Sequence, residues 1–408
     1  MPVRVLFLFG TRPEAIKLCP VVLHFRSRPE LFDVRVCVTA QHRALLDQVL
    51  GVFDVKPEYD LNLMLPGQTL FQSTSRMMAA LEPVFQGLDG WKPEVAMVQG
   101  DTTTTFCGAL AAFYARVPVG HIEAGLRTGD LTQPFPEELN RVLTGRMADL
   151  HFAATSWAAE NLRKEGVADD RIWVTGNTGI DAVLHVKRGL EEGRLQSGMD
   201  WSHLDCFKEH AHNGLASAQQ DGRVPRPLEP GLRGLCATKK LILVTAHRRE
   251  SFGAGFERIC EALAELSERP DVEIVYPVHP NPNVVETVNR TLTGRPNVHL
   301  IAPLEYVPFI DLMRRAYLLI TDSGGVQEEG PSLGKPILVL REKTERPEAV
   351  AAGTVKLVGT DRQKIVAEAN LVLDSAKMRE SMAVVHNPYG DGHASERISA
   401  ATLSFFRK

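Results

Sequence analysis

At 408 residues the chain is too long for one ordinary α/β domain and suits two. Hydrophobic residues make up 44% and charged residues 24%, the profile of a packed globular protein, and a formal net charge of −4 argues against a general nucleic-acid binder, which needs a basic surface. The six cysteines (Cys19, Cys37, Cys107, Cys206, Cys236, Cys260) show no C-x-x-C pair or metal-ligand spacing, and no apolar run reaches membrane-spanning length. Reduced core thiols and a cytoplasmic protein without a resident metal are therefore expected.

Short β-rich apolar runs alternate with amphipathic helical stretches from the start. Val3–Phe9, Val34–Val38, Val95–Val98, Val117–Ile122, Leu150–Ala153 and Ile172–Val174 read as buried strands, with helices such as Glu14–Arg26, Thr102–Tyr114 and Ser156–Glu165 between them. A second series runs through Leu241–Val244, Glu273–Val278, Val298–Ile301, Leu318–Thr321, Pro336–Leu340 and Val355–Leu357. This alternation predicts two doubly wound, Rossmann-like α/β domains, 1–177 and 178–387, with ligands at the carboxyl ends of the strands. The stretch from about 190 to 238, rich in Gly, Gln, Ser, His and Pro, reads as a polar surface insertion in the second domain.

The strand ends carry the chemistry. Gly10-Thr11-Arg12-Pro13-Glu14 lies at the first strand-to-helix junction, where free amides, Arg12 and Lys17 favour an anion. It is not a G-x-G-x-x-G fingerprint, so a nicotinamide cofactor is not expected. In Gly100-Asp101-Thr102 the simplest reading of Asp101 is a helix N-cap, although an aspartate there also faces the ligand edge. Glu123, in His121-Ile122-Glu123-Ala124-Gly125, ends another strand. Glu137 opens a helix, where an acid suits the dipole and Glu138 serves that role equally well. His247, beside Arg248 and Arg249, occupies the first junction of the second domain. Asp322-Ser323-Gly324-Gly325 offers backbone amides without bulk for a diphosphate, and Glu329 follows one turn on, placed for ribose hydroxyls. Phe309 reads as core or base-stacking, and Arg346 lies in a polar loop after a strand.

Taken together, Phe9–Lys17, Gly100–Thr105, His121–Thr128, His247–Ser251, Thr321–Gly325 and Thr344–Glu348 resemble the non-hydrolysing UDP-N-acetylglucosamine 2-epimerase family, in the right order over nearly the whole chain. The resemblance implies a GT-B-like fold with the active site in the cleft between two Rossmann-like domains, and a final helix within 388–408 (Asp391–Phe406) crossing back to the first. It makes Asp101, Glu123, Glu137 and His247 the catalytic group. It places Arg12, Lys17, Phe309, Ser323, Gly324, Gly325, Glu329 and Arg346 around UDP, with Leu304 contributing only backbone near the uracil. It further implies a homodimer, no cofactor, and a second UDP-N-acetylglucosamine as activator near Gln41 and His42.

The implied reaction converts UDP-N-acetylglucosamine (UDP-GlcNAc) to UDP-N-acetylmannosamine (UDP-ManNAc), a precursor of cell-surface polysaccharide. No ketone flanks C2, so direct proton abstraction would be very slow. The family's route eliminates UDP, forms a 2-acetamidoglucal-type intermediate and re-adds UDP after proton return on the opposite face. A GT-B glycosyltransferase, a hydrolysing epimerase and a non-catalytic sugar-nucleotide sensor are the competing readings.

Overall fold

The computed structural model describes residues 1–40, 43–87, 89–201, 204, 239–344, 347–383 and 387–407. The chain divides into two compact units, Met1–Gly189 with Pro388–Lys408, and Leu190–Asn387.

Unit one is built on β1 (Val3–Phe9), β2 (Phe32–Val38), β3 (Tyr59–Asp60), β4 (Val95–Gln99), β5 (Val119–Ala124), β6 (Leu150–Ala153) and β7 (Ile172–Val174). All pair in parallel in the order β3-β2-β1-β4-β5-β6-β7. The strand order reverses between β1 and β4, which makes their carboxyl ends the topological switch point. Val5 to Phe9 are fully buried because helices cover both faces of the sheet, and this explains the unbroken apolar run. Strand β5 extends past its apolar run to Ala124, with a register irregularity between Ile122 and Ala124. Strand β3, absent from the sequence reading, is a two-residue edge held by backbone pairing to β2, so it needs no apolar run.

Unit two contains β8 (Lys240–Thr245), β9 (Val272–Pro277), β10 (Val298–Ile301), β11 (Leu318–Thr321), β12 (Ile337–Val339) and β13 (Val355–Leu357). The parallel order β10-β9-β8-β11-β12-β13 puts its switch point between β8 and β11. One apolar cluster, with Phe256, Leu263, Tyr276, Ile320 and Ile365 among its members, fills the space between sheet and helices.

The division at 189/190 lies beyond the expected 177/178 because the Thr178–Glu191 helix is fastened to the end of the chain. Asp181 accepts hydrogen bonds from the amides of Ala394 (3.3 Å) and Ser395 (2.8 Å), and the Asn177 amide donates to Tyr389 O (2.7 Å). The Ala394–Phe406 helix thus packs on the Arg12–Arg26 helix of unit one. One correction concerns the 190–238 stretch. Its described beginning is not surface, for Trp201 and Leu204 are buried and the Trp201 indole donates to the buried Asp311 carboxylate at 3.2 Å; the rest of that stretch, with Cys206 and Cys236, lies outside the described residues. Cys19, Cys37, Cys107 and Cys260 are free, buried thiols. No helix among the described residues is long and apolar enough to cross a membrane.

Candidate active site

At the switch point of unit one, the loops after β1 and β4 are locked together by a residue that the sequence reading passed over. Glu14, 1% exposed, accepts from the amides of Gly10 (3.0 Å) and Thr11 (2.7 Å) and from the hydroxyls of Thr102 (2.6 Å) and Thr105 (3.1 Å). Burial holds its carboxyl above the usual range against those hydrogen bonds. With Thr11 it forms a capping box, the S/T-x-x-E signal that marks this role in the sequence. Gly10 permits the packing, since a Cβ there would lie 2.0 Å from Thr39 Oγ1 and 2.5 Å from Thr104 Oγ1.

Glu123 ends β5 with φ of +64°, the left-handed region that a non-glycine residue rarely adopts. The turn aims its side chain at the switch point, where one carboxylate oxygen pairs with Lys17 Nζ and the other accepts from Gln99 Nε2. The Glu123 side chain is 11% exposed and that of Lys17 21%, so this pair is only partly hydrated. Lys17 therefore engages an acid of its own unit.

Asp101 does not cap the helix after β4. Thr102 does, accepting from the Thr105 amide at 3.1 Å, which overturns the simplest sequence reading because the hydroxyl residue stands directly before the first helical turn. The Asp101 carboxylate instead accepts from Arg141 Nη2 at 2.6 Å, and its carbonyl accepts from Asn140 Nδ2 at 2.9 Å. Arg141 also pairs with Glu138 at 3.2 Å. Glu138 is 1% exposed and accepts from the amides of Thr128 and Gly129, so it takes the structural role left open between the two neighbours. Glu137 is half-buried at the first position of that helix. Behind the loop, buried His121 bonds Gly100 O through Nε2 (2.7 Å); burial pushes its pKa down to about 3, so the ring is neutral and its Nε2–H donates. Arg12 is half-buried and pairs with no acid among the described residues.

In unit two the loops after β8 and β11 meet through Asp322. This fully buried carboxylate accepts from the amides of His247 and Arg248, both at 2.7 Å, and its other oxygen lies 3.7 Å from His247 Nδ1. The His247 ring stacks on His279 at 5.1 Å between centroids and 10° between planes. Burial first, then the neighbouring His279 and Arg248 charges, outweigh Asp322 and hold the His247 pKa below its ordinary value. Neither Asp322 nor His279 stood out in the sequence, since both partnerships link separate loops. The amide of Ser323 donates to Thr321 Oγ1 at 2.9 Å, so this one of the proposed diphosphate amides is already engaged. Gly325 is exposed, and a Cβ on it would meet nothing nearer than 3.9 Å. Glu329 is half-buried at the end of the Gly324–Glu329 helix, and Phe309 and Leu304 are half-buried in and before the Tyr306–Arg315 helix. Arg341, which the sequence reading missed, pairs with Glu250 at 2.6 Å. Gln41, His42 and Arg346 lie outside the described residues.

The fold and its loops define an α/β protein of two Rossmann-like domains, GT-B-like, with acids at the first switch point and a backbone-rich, histidine-bearing loop pair at the second. A profile of the UDP-N-acetylglucosamine 2-epimerase family matches residues 25–403. The chain is 52% identical to the UDP-N-acetylglucosamine 2-epimerase of Salmonella typhimurium over 404 residues, covering 98% of this chain and 99% of that one. It is 51% identical to that of Escherichia coli K12, with 98% of each covered. Among solved structures it resembles the UDP-GlcNAc 2-epimerase of Neisseria meningitidis bound to UDP-GlcNAc, at 43% identity and a TM-score of 0.80, over 98% of this chain and 100% of that chain. The chain belongs to the UDP-N-acetylglucosamine 2-epimerase family and is an isomerase.

Proposed function

We propose that this chain reversibly converts UDP-GlcNAc to UDP-ManNAc without releasing free sugar. The reading rests on the pairing of two carboxylates, Glu123 and Asp101, each oriented by a cation at one strand edge of unit one. The names of the relatives and the UDP-GlcNAc in the Neisseria structure support the choice of substrate.

In the proposed reaction a carboxylate takes the C2 proton, the C1–O bond breaks and its electron pair leaves on the β-phosphate oxygen. A C1=C2 double bond remains in the 2-acetamidoglucal intermediate. A second acid returns a proton to the opposite face of C2 as the UDP oxygen re-adds to C1. Asp101, Glu123 and Glu137 supply the acid–base groups and negative charge near the oxocarbenium-like C1. Arg141 and Lys17 orient two of them. Arg12, Arg346, Gly324, Gly325 and the side chain of Ser323 receive the diphosphate, His247 assists it, Glu329 accepts from ribose hydroxyls, and Phe309 with the Leu304 backbone borders the uracil. Water must be excluded while the glycal exists, because it would yield free sugar.

We further read the protein as a cytoplasmic homodimer that supplies N-acetylmannosamine units for cell-surface polysaccharide. A second UDP-GlcNAc as activator is supported by a cavity of about 670 Å³ in unit one, lined by Ala40, Arg43, Asn62, Gln68, Ser73 and Thr103 among others, next in sequence to Gln41 and His42.

Incubation of the pure protein with UDP-GlcNAc in D₂O tests the reaction. Deuterium at C2 of both recovered UDP-sugars is expected. Free N-acetylmannosamine would make it a hydrolysing enzyme, and absence of exchange would leave a transferase or a sensor.

A further inference from the structure

Asp322 places two carboxylate oxygens in the interior of unit two and uses them unequally. Oδ2 accepts from two successive amides, His247 and Arg248, both at 2.7 Å. Oδ1 is equally buried, makes no hydrogen bond among the described residues, and faces His247 Nδ1 from 3.7 Å. A buried carboxylate oxygen without a donor is costly, and here the nearest ring nitrogen lies less than 1 Å beyond hydrogen-bond reach. The imidazole is clamped from the other side by the stacked ring of His279, while its own side chain stays 39% exposed.

We infer that Asp322 and His247 form a carboxylate–imidazole pair through which unit two takes up a proton when a diphosphate binds. His247 Nδ1–H donates to Asp322 Oδ1, and Nε2, on the opposite side of the ring, gains a proton from solvent and presents it to the anion. Asp322 is then a positioning residue: it fixes the tautomer and counters the charge that the ring acquires. The groups facing His247 are Asp322 on the loop after β11, His279 on the loop after β9 and Arg248 on its own loop. Burial foremost, then His279 and Arg248, oppose protonation and Asp322 favours it, so without an anion the ring stays neutral, and an added diphosphate tips the balance. The inference rests on the reading that unit two binds UDP.

Calorimetric titration of the full chain with UDP, in buffers of different ionisation enthalpy near about pH 7, counts the protons taken up on binding. Wild type is expected to take up roughly half a proton or more per UDP. UDP's own phosphate releases protons when its dianion is bound, the opposite sign, and does so in every variant. Asp322→Asn keeps one oxygen for the two amides but turns an NH₂ towards Nδ1, and His247→Gln removes the ring; each should abolish the uptake. Should Asp322→Asn not fold, the His247→Gln comparison decides alone. Binding without uptake in wild type, or unchanged uptake in either variant, overturns the pair while leaving UDP binding intact. No UDP binding by wild type overturns both the pair and the functional reading.

Discussion

Glu123 and Asp101 are held in different ways, and the difference sets what their removal should do. Glu123 sits in a left-handed backbone conformation and is tied to Lys17 and Gln99. Glu123→Gln keeps the shape but removes one of the proposed acid–base groups, so kcat for epimerisation should fall by about 10²–10⁴-fold with the far-ultraviolet circular dichroism unchanged. Arg141→Ala unpairs Asp101 and also leaves Glu138 buried without its cation. Beyond a loss of activity, it should lower the unfolding free energy by about 3 kcal/mol, read from a urea titration. Asp101 and Glu123 could be singled out in the sequence because each follows an apolar strand run. Their partners could not. Arg141 lies forty positions from Asp101 and Gln99 twenty-four from Glu123, and no spacing rule connects them. The capping of the helix after β4 by Thr102 rather than Asp101 turned on a one-residue shift that composition cannot resolve.

At the scale of elements, the buried strands were legible because a parallel sheet covered on both faces demands uninterrupted apolar runs. Val3–Phe9, Leu150–Ala153, Ile172–Val174, Val298–Ile301, Leu318–Thr321 and Val355–Leu357 have the bounds expected from sequence. Boundaries slipped where a strand continues beyond its apolar run, as at Glu123, and β3 escaped because edge pairing needs only backbone. The junction after β5 depends on Gly125, which combines φ of +90° with a Cβ position only 2.2 Å from Ala158 O. Gly125→Ala must therefore displace the Ser156–Lys164 helix or distort the turn that aims Glu123. A loss of about 2 kcal/mol or more and a drop in activity are expected together, the first by thermal denaturation and the second by product analysis.

For the whole molecule, acid should be more damaging than the small net charge suggests. His121 and His151 are each 1% exposed, and burial before all else drives their pKa values to about 3 and about 4. In the unfolded chain histidine titrates near about 6.5, so the folded values are depressed. The neutral rings contribute their full share of stability above about pH 6.5 and lose it as pH falls towards 4 and then 3, at about 1.4 kcal/mol per pH unit per ring. Urea midpoints at about pH 7.5 and 5 should differ accordingly, and the double variant His121→Gln/His151→Gln should show a shallower acid slope; an unchanged slope would refute the assignment. The tandem α/β plan was readable at this scale because its two series open alike, whereas the unit boundary was not, since it depends on how Asp181 meets the last helix.

That last helix has a consequence for how the protein is made. Unit one is assembled from both ends of the polypeptide, so a growing chain cannot complete it until everything between has been synthesised. Until Ala394–Phe406 emerges, the outer side of the Arg12–Arg26 helix waits uncovered and Asp181 lacks its two amide donors. Unit two is contiguous and has no such wait. Unit one is therefore the part that depends on the last segment made, although its strands are the first to be synthesised.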